Sequence, residues 1–187
     1  MWDDKKGGII LNYTKINEYD VANGPGVRVS VWVSGCTLKC PGCHNKDSQN
    51  FCCGNKWWSG SMEKLKKALS PNFIKGITLT GGHPLEYENL PDVYDIVKMV
   101  KEEFPHLDIW LYTGYTLVAK DFDNNVDIGW DNAALRNHIL AMCDVVVDGP
   151  YIQEERDITL AWRGSRNQRV IDVKKTKENG EIILFCD

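Results

Sequence analysis

The stretch VRVSVWVSGCTLKCPGCHN, residues Val27 to Asn45, joins a predicted strand to a dense group of cysteines. Its first seven residues alternate and are rich in β-branched side chains, which is typical of a β-strand. Cys36, Cys40 and Cys43 follow in the spacing CxxxCxxC, with His44 directly after the last. We therefore expect three thiols in a loop at the C-terminal end of a strand.

Strands and helices alternate along the rest of the chain and predict an α/β domain with a mainly parallel sheet. Further strands are predicted at Gly76 to Thr80, Asp108 to Tyr112 and Asp144 to Val147, and helices at Met62 to Leu69, Leu90 to Phe104 (with Asn89 as its N-cap) and Asn132 to Met142. Each strand ends in a polar loop that contains glycine. Because parallel α/β folds bind ligands at the C-terminal ends of their strands, we expect these four loops to meet at one rim.

Composition and charge exclude several classes of protein. The chain has 187 residues, a formal net charge of −4 and seven cysteines, five of them between Cys36 and Cys53. It has no long basic block, no apolar run near the roughly 20 residues of a membrane span, and no apolar secretory segment in Met1 to Gly8. We expect a single domain over residues 1–187 in the cytoplasm, with neither nucleic acid nor membrane as a partner.

Four kinds of site match parts of the cysteine motif. The run from Cys40 to His44 matches a c-type haem attachment, and Cys40 to Cys43 alone matches a thiol–disulfide redox site, but both leave Cys36 unused. A closed zinc site needs four ligands, and adjacent Cys43 and His44 seldom reach one ion comfortably. A cubane iron–sulfur cluster uses all three thiolates and leaves one iron with an exchangeable position. We favour the cluster and keep the other three as alternatives.

The cysteine motif and five further segments together resemble the glycyl-radical activating enzymes of the radical S-adenosylmethionine (SAM) superfamily. The five segments are NGPG (23–26), ITLTGGHPL (77–85), DIWLYTGY (108–115), VVVDGPY (145–151) and WRGSRNQR (162–169). This combination is most similar to the activating proteins of anaerobic (class III) ribonucleoside-triphosphate reductase. The resemblance covers about residues 13–170. It implies a partial (β/α) barrel of radical SAM type with a mainly parallel sheet.

The resemblance also implies a chemistry. Cys36, Cys40 and Cys43 would hold a 4Fe–4S cluster whose fourth iron binds SAM. Reductive cleavage of SAM would give a 5′-deoxyadenosyl radical, which removes a hydrogen atom from one glycine of the reductase large subunit. A reductant such as flavodoxin would supply the electron. The cofactors carry this chemistry while the protein positions them, so no further catalytic side chain is expected.

The implied cofactor contacts lie in two loops. Gly42, Cys43 and His44 would border the adenine, and the Gly81–Gly82 backbone would approach the methionine amino group, since glycine permits close approach. His83 lies where relatives often carry an acidic residue, and it would either accept a hydrogen bond from that amino group or line the loop. A Gly82→Val substitution is then expected to block SAM binding and to leave the cluster in place.

Other segments carry weaker expectations. The pair Cys52-Cys53 is not expected to hold a second cluster, and WRGSRNQR is expected to dock or close over the glycine loop of the partner. Residues 174–187 read as an appendage, a polar turn followed by a strand from Glu181 to Phe185. Two alternative functions are kept: an activase of another glycyl-radical enzyme such as pyruvate formate-lyase, and a non-catalytic zinc-binding or electron-transfer module.

Overall fold

A computed structural model describes residues 10–124 and 132–186 of the chain. Met1 to Gly8, considered above for a secretory signal, and Asp187 lie outside this part. The strands are β1 (Asn12–Asp20), β2 (Val27–Val33), β3 (Asn55–Lys56), β4 (Ile74–Gly81), β5 (Asp108–Tyr112), β6 (Val145–Asp148), β7 (Arg169–Asp172) and β8 (Leu184–Cys186). The helices are α1 (Ser59–Leu69), α2 (Leu90–Glu103), α3 (Asn132–Met142) and α4 (Val173–Asn179).

All eight strands belong to one sheet in the order β3-β1-β2-β4-β5-β6-β7-β8. The four central strands β2, β4, β5 and β6 are parallel, as the alternation of strands and helices predicted. The flanking pairs are antiparallel, so the expectation of a mainly parallel sheet is correct only for the centre. The sheet is open, because β3 and β8 each pair with a single neighbour.

The main hydrophobic core lies between one face of this sheet and helices α1, α2 and α3. Along each strand, alternate residues point to this face, which is the period-two pattern of a sheet. The sheet contributes Val29, Val31, Val33, Ile77, Leu79, Ile109, Leu111 and Val146, and the helices contribute Leu65, Ile96, Val97, Val100 and Ile139. These positions match the apolar spacing that predicted the helices. Burial of this face fixes the register of the central strands and therefore the position of the loops that follow them.

The opposite face of the sheet carries a cluster of aromatic side chains. Trp110 on β5 belongs to a second small core with Val145, Val147 and Val170. Trp162 and Phe185 both pack edge-on against Trp110, with ring centroids 5.2 Å and 5.3 Å away. The C-terminal strand therefore covers part of this face, next to the segment that contains WRGSRNQR.

The C-terminal segment differs from its expected form. Residues predicted as a polar turn form helix α4, which begins where the Asp172 side chain accepts a hydrogen bond from Lys175 N and ends at Gly180 in the left-handed conformation. Both are standard helix caps that the polar composition concealed. The final strand was predicted, although it begins three residues later than expected and pairs with β7.

The described residues contain no helix that is both long and apolar enough to cross a lipid bilayer.

Candidate functional site

The four loops after the parallel strands meet around one cavity of about 190 Å³. Each loop contributes lining residues: Cys36, Leu38, Cys40, Cys43, His44 and Asn45 after β2; Gly82 and His83 after β4; Thr113 and Gly114 after β5; and Gly149 and Tyr151 after β6. Gly81, the last residue of β4, also lines it. The shared rim predicted from the strand order is therefore present, and it brings the cysteines and the glycine pair together.

The segment from Ser34 to Cys43, called here the cysteine loop, folds back on itself above β2. Lys39 and Gly42 have φ angles of 49° and 72°, and Cys43 N donates to Cys40 O at 3.2 Å. Left-handed backbone is uncommon for a lysine, so the path of this loop is strongly constrained. All three thiols are free and partly buried, and all three line the cavity.

The three thiols are the side chains of this cavity that could bind iron. In the part of the chain that the structure describes, no group of three His, Cys, Asp or Glu side chains is arranged to hold a single metal ion. In an iron–sulfur cluster each thiolate binds a different iron atom. Cys36, Cys40 and Cys43, which all line the cavity, could therefore each bind one iron of such a cluster.

Burial raises the pKa of the Cys36 thiol, against the lowering effect of hydrogen bonds from the backbone of Leu38 and Lys39. The charges of Glu86 and Cys40 add to the increase. A thiol held in this way becomes a thiolate when a metal binds, because the cation replaces the proton. Without a bound metal, burial and the two neighbouring charges favour the protonated form of Cys36.

The glycine pair after β4 packs backbone against backbone on the cysteine loop. Gly82 N donates to Val33 O at 2.7 Å, and His83 N donates to Gly35 O at 2.8 Å. A Cβ atom on Gly82 would lie 2.6 Å from Gly35 O and 2.7 Å from Ser48 O, which no real side chain tolerates. The expectation that Gly82→Val spares the cluster stays a prediction, and this contact argues against it, because the substitution would displace the backbone next to Cys36.

His83 is buried beneath the cavity, and both of its ring nitrogens have protein partners. Nε2 lies 2.8 Å from Thr113 Oγ1, and Nδ1 lies 3.1 Å from Glu86 Oε1. The ring also packs edge-on against Tyr115. With both ring nitrogens engaged, the imidazole has no free nitrogen to accept a hydrogen bond from a cofactor amino group, so the alternative in which His83 lines the loop describes it better.

Gly42 and His44 border a second cavity of about 310 Å³ that adjoins the first. His44, Tyr151 and Gly164 line both cavities, and His44 is exposed. The wall of the second cavity is completed by Gln153, Arg156, Asp157, Ile158 and Arg163. The site is therefore an elongated groove, with the cysteines at one end and the segment before β7 along its side.

Several residues of this site had no signal in the sequence. Asn89 was expected to cap α2, but its side chain instead donates to Ser34 O at 2.9 Å and His83 O at 3.0 Å. Glu86 accepts hydrogen bonds from both Thr37 N and Thr37 Oγ1. Both side chains lie just before α2, and they join the cysteine loop to the loop after β4. Their spacing in EYEN is unremarkable, and only the folded structure brings them to this position.

Two segments singled out in the sequence border the cavity. Asn23 of NGPG lines it, and Asn23 O accepts a hydrogen bond from Thr78 Oγ1 at 2.7 Å. Gly164 and Gln168 of WRGSRNQR line it as well, while Trp162 has a φ of 56° and accepts a hydrogen bond from Tyr112 Oη at 2.8 Å. A left-handed tryptophan is a genuine outlier that its surroundings must stabilise.

Comparison with known proteins agrees with this arrangement. A family model described as a 4Fe–4S single cluster domain matches residues 22–171. The anaerobic ribonucleoside-triphosphate reductase-activating protein of Pasteurella multocida is 40% identical over 84% of this chain and 95% of its own length. The proteins of the same name from Escherichia coli K12 and Enterobacteria phage T4 are 35% and 37% identical, each over 86% of this chain and over 97% and 93% of their own lengths.

The matched region contains the cysteine loop, the Gly81–Gly82 pair and the four central strands, so the similarity extends over the whole site. It also agrees with the resemblance that the motifs indicated. The chain belongs to the family of anaerobic ribonucleoside-triphosphate reductase-activating proteins.

Proposed function

We propose that the protein activates an anaerobic ribonucleoside-triphosphate reductase as a radical SAM enzyme. The names of its relatives support the partner, and the family model supports an iron–sulfur cluster. One observation carries the proposal: Cys36, Cys40 and Cys43 line a single cavity with the backbone of Gly81 and Gly82. The open sheet is then the partial (β/α) barrel of this superfamily, and residues 1–187 act as one domain whose core is about residues 13–170.

In this proposal the cysteine loop holds a 4Fe–4S cluster and the groove holds SAM. Together these cofactors would supply the one-electron cleavage of SAM. The 5′-deoxyadenosyl radical released would convert a glycine of the reductase to a glycyl radical. Gly42, Cys43 and His44 border the adenosyl group, and the Gly81–Gly82 backbone faces the methionine part. His83 lines the cavity and shapes the second of these loops through Thr113 and Glu86.

The protein residues have two further roles in this proposal. The walls formed by Trp32, Tyr112 and Leu38 exclude water from the reacting atoms, since these side chains line the cavity. Asn23 and Gln168 line the cavity and offer polar contacts to the backbone around the partner's glycine. A reductant such as flavodoxin delivers the electron, and the reaction takes place in the cytoplasm, where thiols stay reduced.

Anaerobic reconstitution with iron and sulfide tests the cluster. We expect a brown protein with about four irons per chain, and about none in a Cys40→Ser variant. Cys52→Ser is the matched control, because Cys52 is exposed and does not line the cavity. A colourless protein that carries one zinc ion would contradict the proposal and favour the zinc-binding alternative.

The partner is tested separately. With dithionite and SAM, the reconstituted protein is expected to release 5′-deoxyadenosine and to give a glycyl radical signal in electron paramagnetic resonance on the reductase. Pyruvate formate-lyase serves as the competing partner. A radical formed on pyruvate formate-lyase and not on the reductase would assign the activase to the alternative enzyme.

A further inference from the structure

The carboxylate of Glu86 is the central acceptor of a buried network beneath the proposed cluster. Its Oε1 atom accepts hydrogen bonds from Thr37 N at 2.7 Å and Thr37 Oγ1 at 2.8 Å, and it lies 3.1 Å from His83 Nδ1. Glu86 is 5% exposed, so these contacts replace its hydration almost entirely. Thr37 directly follows Cys36, which places the carboxylate one residue away from a proposed cluster ligand.

The network continues through His83 to a third loop. Because the Glu86 carboxylate only accepts, His83 Nδ1 donates to it, while Nε2 lies 2.8 Å from Thr113 Oγ1. Thr113 Oγ1 in turn accepts from Tyr115 N at 3.2 Å. Both ring nitrogens of His83 therefore have partners within the network. The loops after β2, β4 and β5 are tied together by these side chains, and Asn89 adds two more links between the first two loops.

The carboxylate also brings a permanent charge close to the cysteine loop. Burial alone would raise the pKa of Glu86, but hydrogen bonds from His83 and Thr37 lower it to about 2. The group is thus ionised at neutral pH. Its hydrogen bonds to Thr37 hold this charge beside the residue that follows Cys36. A cluster bound there gains one more negative charge when it is reduced, and a nearby anion opposes that gain.

We propose that Glu86 is a positioning residue for the cluster: it fixes the cysteine loop through Thr37, and its charge lowers the reduction potential of the cluster. This inference rests on the proposed 4Fe–4S cluster at Cys36, Cys40 and Cys43. It assigns to Glu86 a role that is separate from SAM binding, since Glu86 does not line either cavity.

The test is the midpoint potential of the reconstituted cluster, measured by redox titration with electron paramagnetic resonance and without SAM. Glu86→Gln keeps the size and the acceptor oxygen but removes the charge, so we expect about four irons per chain and an upward shift of the midpoint potential. Glu86→Asp keeps the charge and is expected to stay nearer the wild-type potential. Glu102→Gln is the matched control, because Glu102 is exposed on α2 and is expected to leave the potential unchanged.

Two results would overturn the inference: a Glu86→Gln protein with the wild-type potential, or a Glu86→Asp protein that shifts upward as far as Glu86→Gln. If Glu86→Gln does not fold, Thr37→Val decides. It removes one donor to the carboxylate and leaves the charge, so the potential is expected to fall, and a potential at or above the wild-type value would refute the inference.

These readouts are distinct from those of the proposed function. A wild-type protein without a 4Fe–4S signal would refute the proposed cluster itself, whereas a normal wild-type cluster with unresponsive variants would refute only the role of Glu86. Because SAM is absent, the result does not depend on the cleavage reaction or on the partner.

Discussion

Gly82 lies where three stretches of backbone touch one another. It is flanked by Gly35 on the cysteine loop and by Ser48 on the segment that follows this loop, with both carbonyl oxygens closer to a hypothetical Cβ atom than any normal contact. Close approach of backbone is the usual reason for glycine at such a position. Glycine at position 82 is therefore needed for the structure of the site as well as for its chemistry. It lets the backbone pack against the loop that carries Cys36.

We predict that Gly82→Ala abolishes iron incorporation as well as SAM binding, because even a methyl group would push Gly35 and Ser48 apart. Iron and sulfide per chain after reconstitution are the measurement. Gly180→Ala is the control, since Gly180 is left-handed but has nothing within 4 Å of a Cβ atom. That variant is expected to lose about 1 kcal/mol of folding free energy and to keep its iron. Full iron content in Gly82→Ala would contradict the prediction.

A second prediction at this scale concerns Asp20, which holds the segment that contains NGPG. Its carboxylate accepts hydrogen bonds from Ala22 N, Asn23 N, Asn23 Nδ2 and Ser30 Oγ. Burial opposes ionisation of this side chain, but these hydrogen bonds outweigh it and lower the pKa of Asp20 below its usual 3.8. The stabilisation is fully present above the usual pKa and is lost as pH falls through the lowered one.

The free energy of unfolding of the apoprotein, measured in urea from about pH 6 to about pH 3, checks this prediction. Wild-type stability is expected to fall at the acidic end, and Asp20→Asn is expected to be less stable at pH 6 and to lose less on acidification. Glu178→Gln, an exposed carboxyl on α4, serves as the control and should follow the wild type. An identical pH profile for Asp20→Asn and the wild type would refute the role of this carboxylate.

At the scale of the elements, apolar patterning predicted the buried strands well and the peripheral ones poorly. The bounds of β2, β5 and α3 agree with the sequence analysis, because each has a continuous apolar signal. Strands β1, β3 and β7 were missed. Strand β1 (NYTKINEYD) mixes polar and apolar residues along a partly exposed flank, and β3 and β7 are only two and four residues long. Their pairing with neighbouring strands, and not their own propensity, makes them strands.

The C-terminal strand stabilises the aromatic face through Phe185. Its ring packs against both Trp110 and Trp162, at centroid distances of 5.3 Å and 6.1 Å. We predict that Phe185→Ala lowers the free energy of unfolding by about 1–2 kcal/mol, since the ring is only partly buried. Leu184→Ala, which removes a similarly exposed side chain outside the aromatic cluster, is expected to cost less. Equal losses in urea denaturation would show that the cluster adds nothing.

At the scale of the whole molecule, the cysteines divide into a set that lines the cavity and a set that does not. Cys52 and Cys53 lie on the segment beside the cysteine loop, where the Cys53 carbonyl accepts a hydrogen bond from Ser34 Oγ. Serine at both positions preserves this backbone contact. We predict that the Cys52→Ser, Cys53→Ser double variant binds about four irons per chain, as the wild type does. A halved iron content would reveal a second metal site that involves this pair.

The candidate site was predictable where it depends on strand order and unpredictable where it depends on long-range side-chain contacts. CxxxCxxC after a strand, and glycine loops after three more, were enough to place the cysteines and Gly82 on one rim. The roles of Glu86 and Asn89 depend on how α2 packs beneath that rim, 49 and 55 residues from their partners Thr37 and Ser34. Contacts between residues so far apart in the chain leave no periodic pattern in a single sequence.

The contact of backbone with backbone beneath the cavity also limits how the protein can diversify. A side chain introduced at Gly81 or Gly82 meets main-chain atoms, so these two positions do not tolerate substitution one residue at a time. New preferences for a cofactor or a partner must arise instead from side chains that project from the sheet, such as Trp32, Thr80 and Tyr112, or from Gln168 in the segment alongside. In directed evolution, libraries at these four positions should return folded variants with altered binding, whereas libraries at the glycine pair should return almost none.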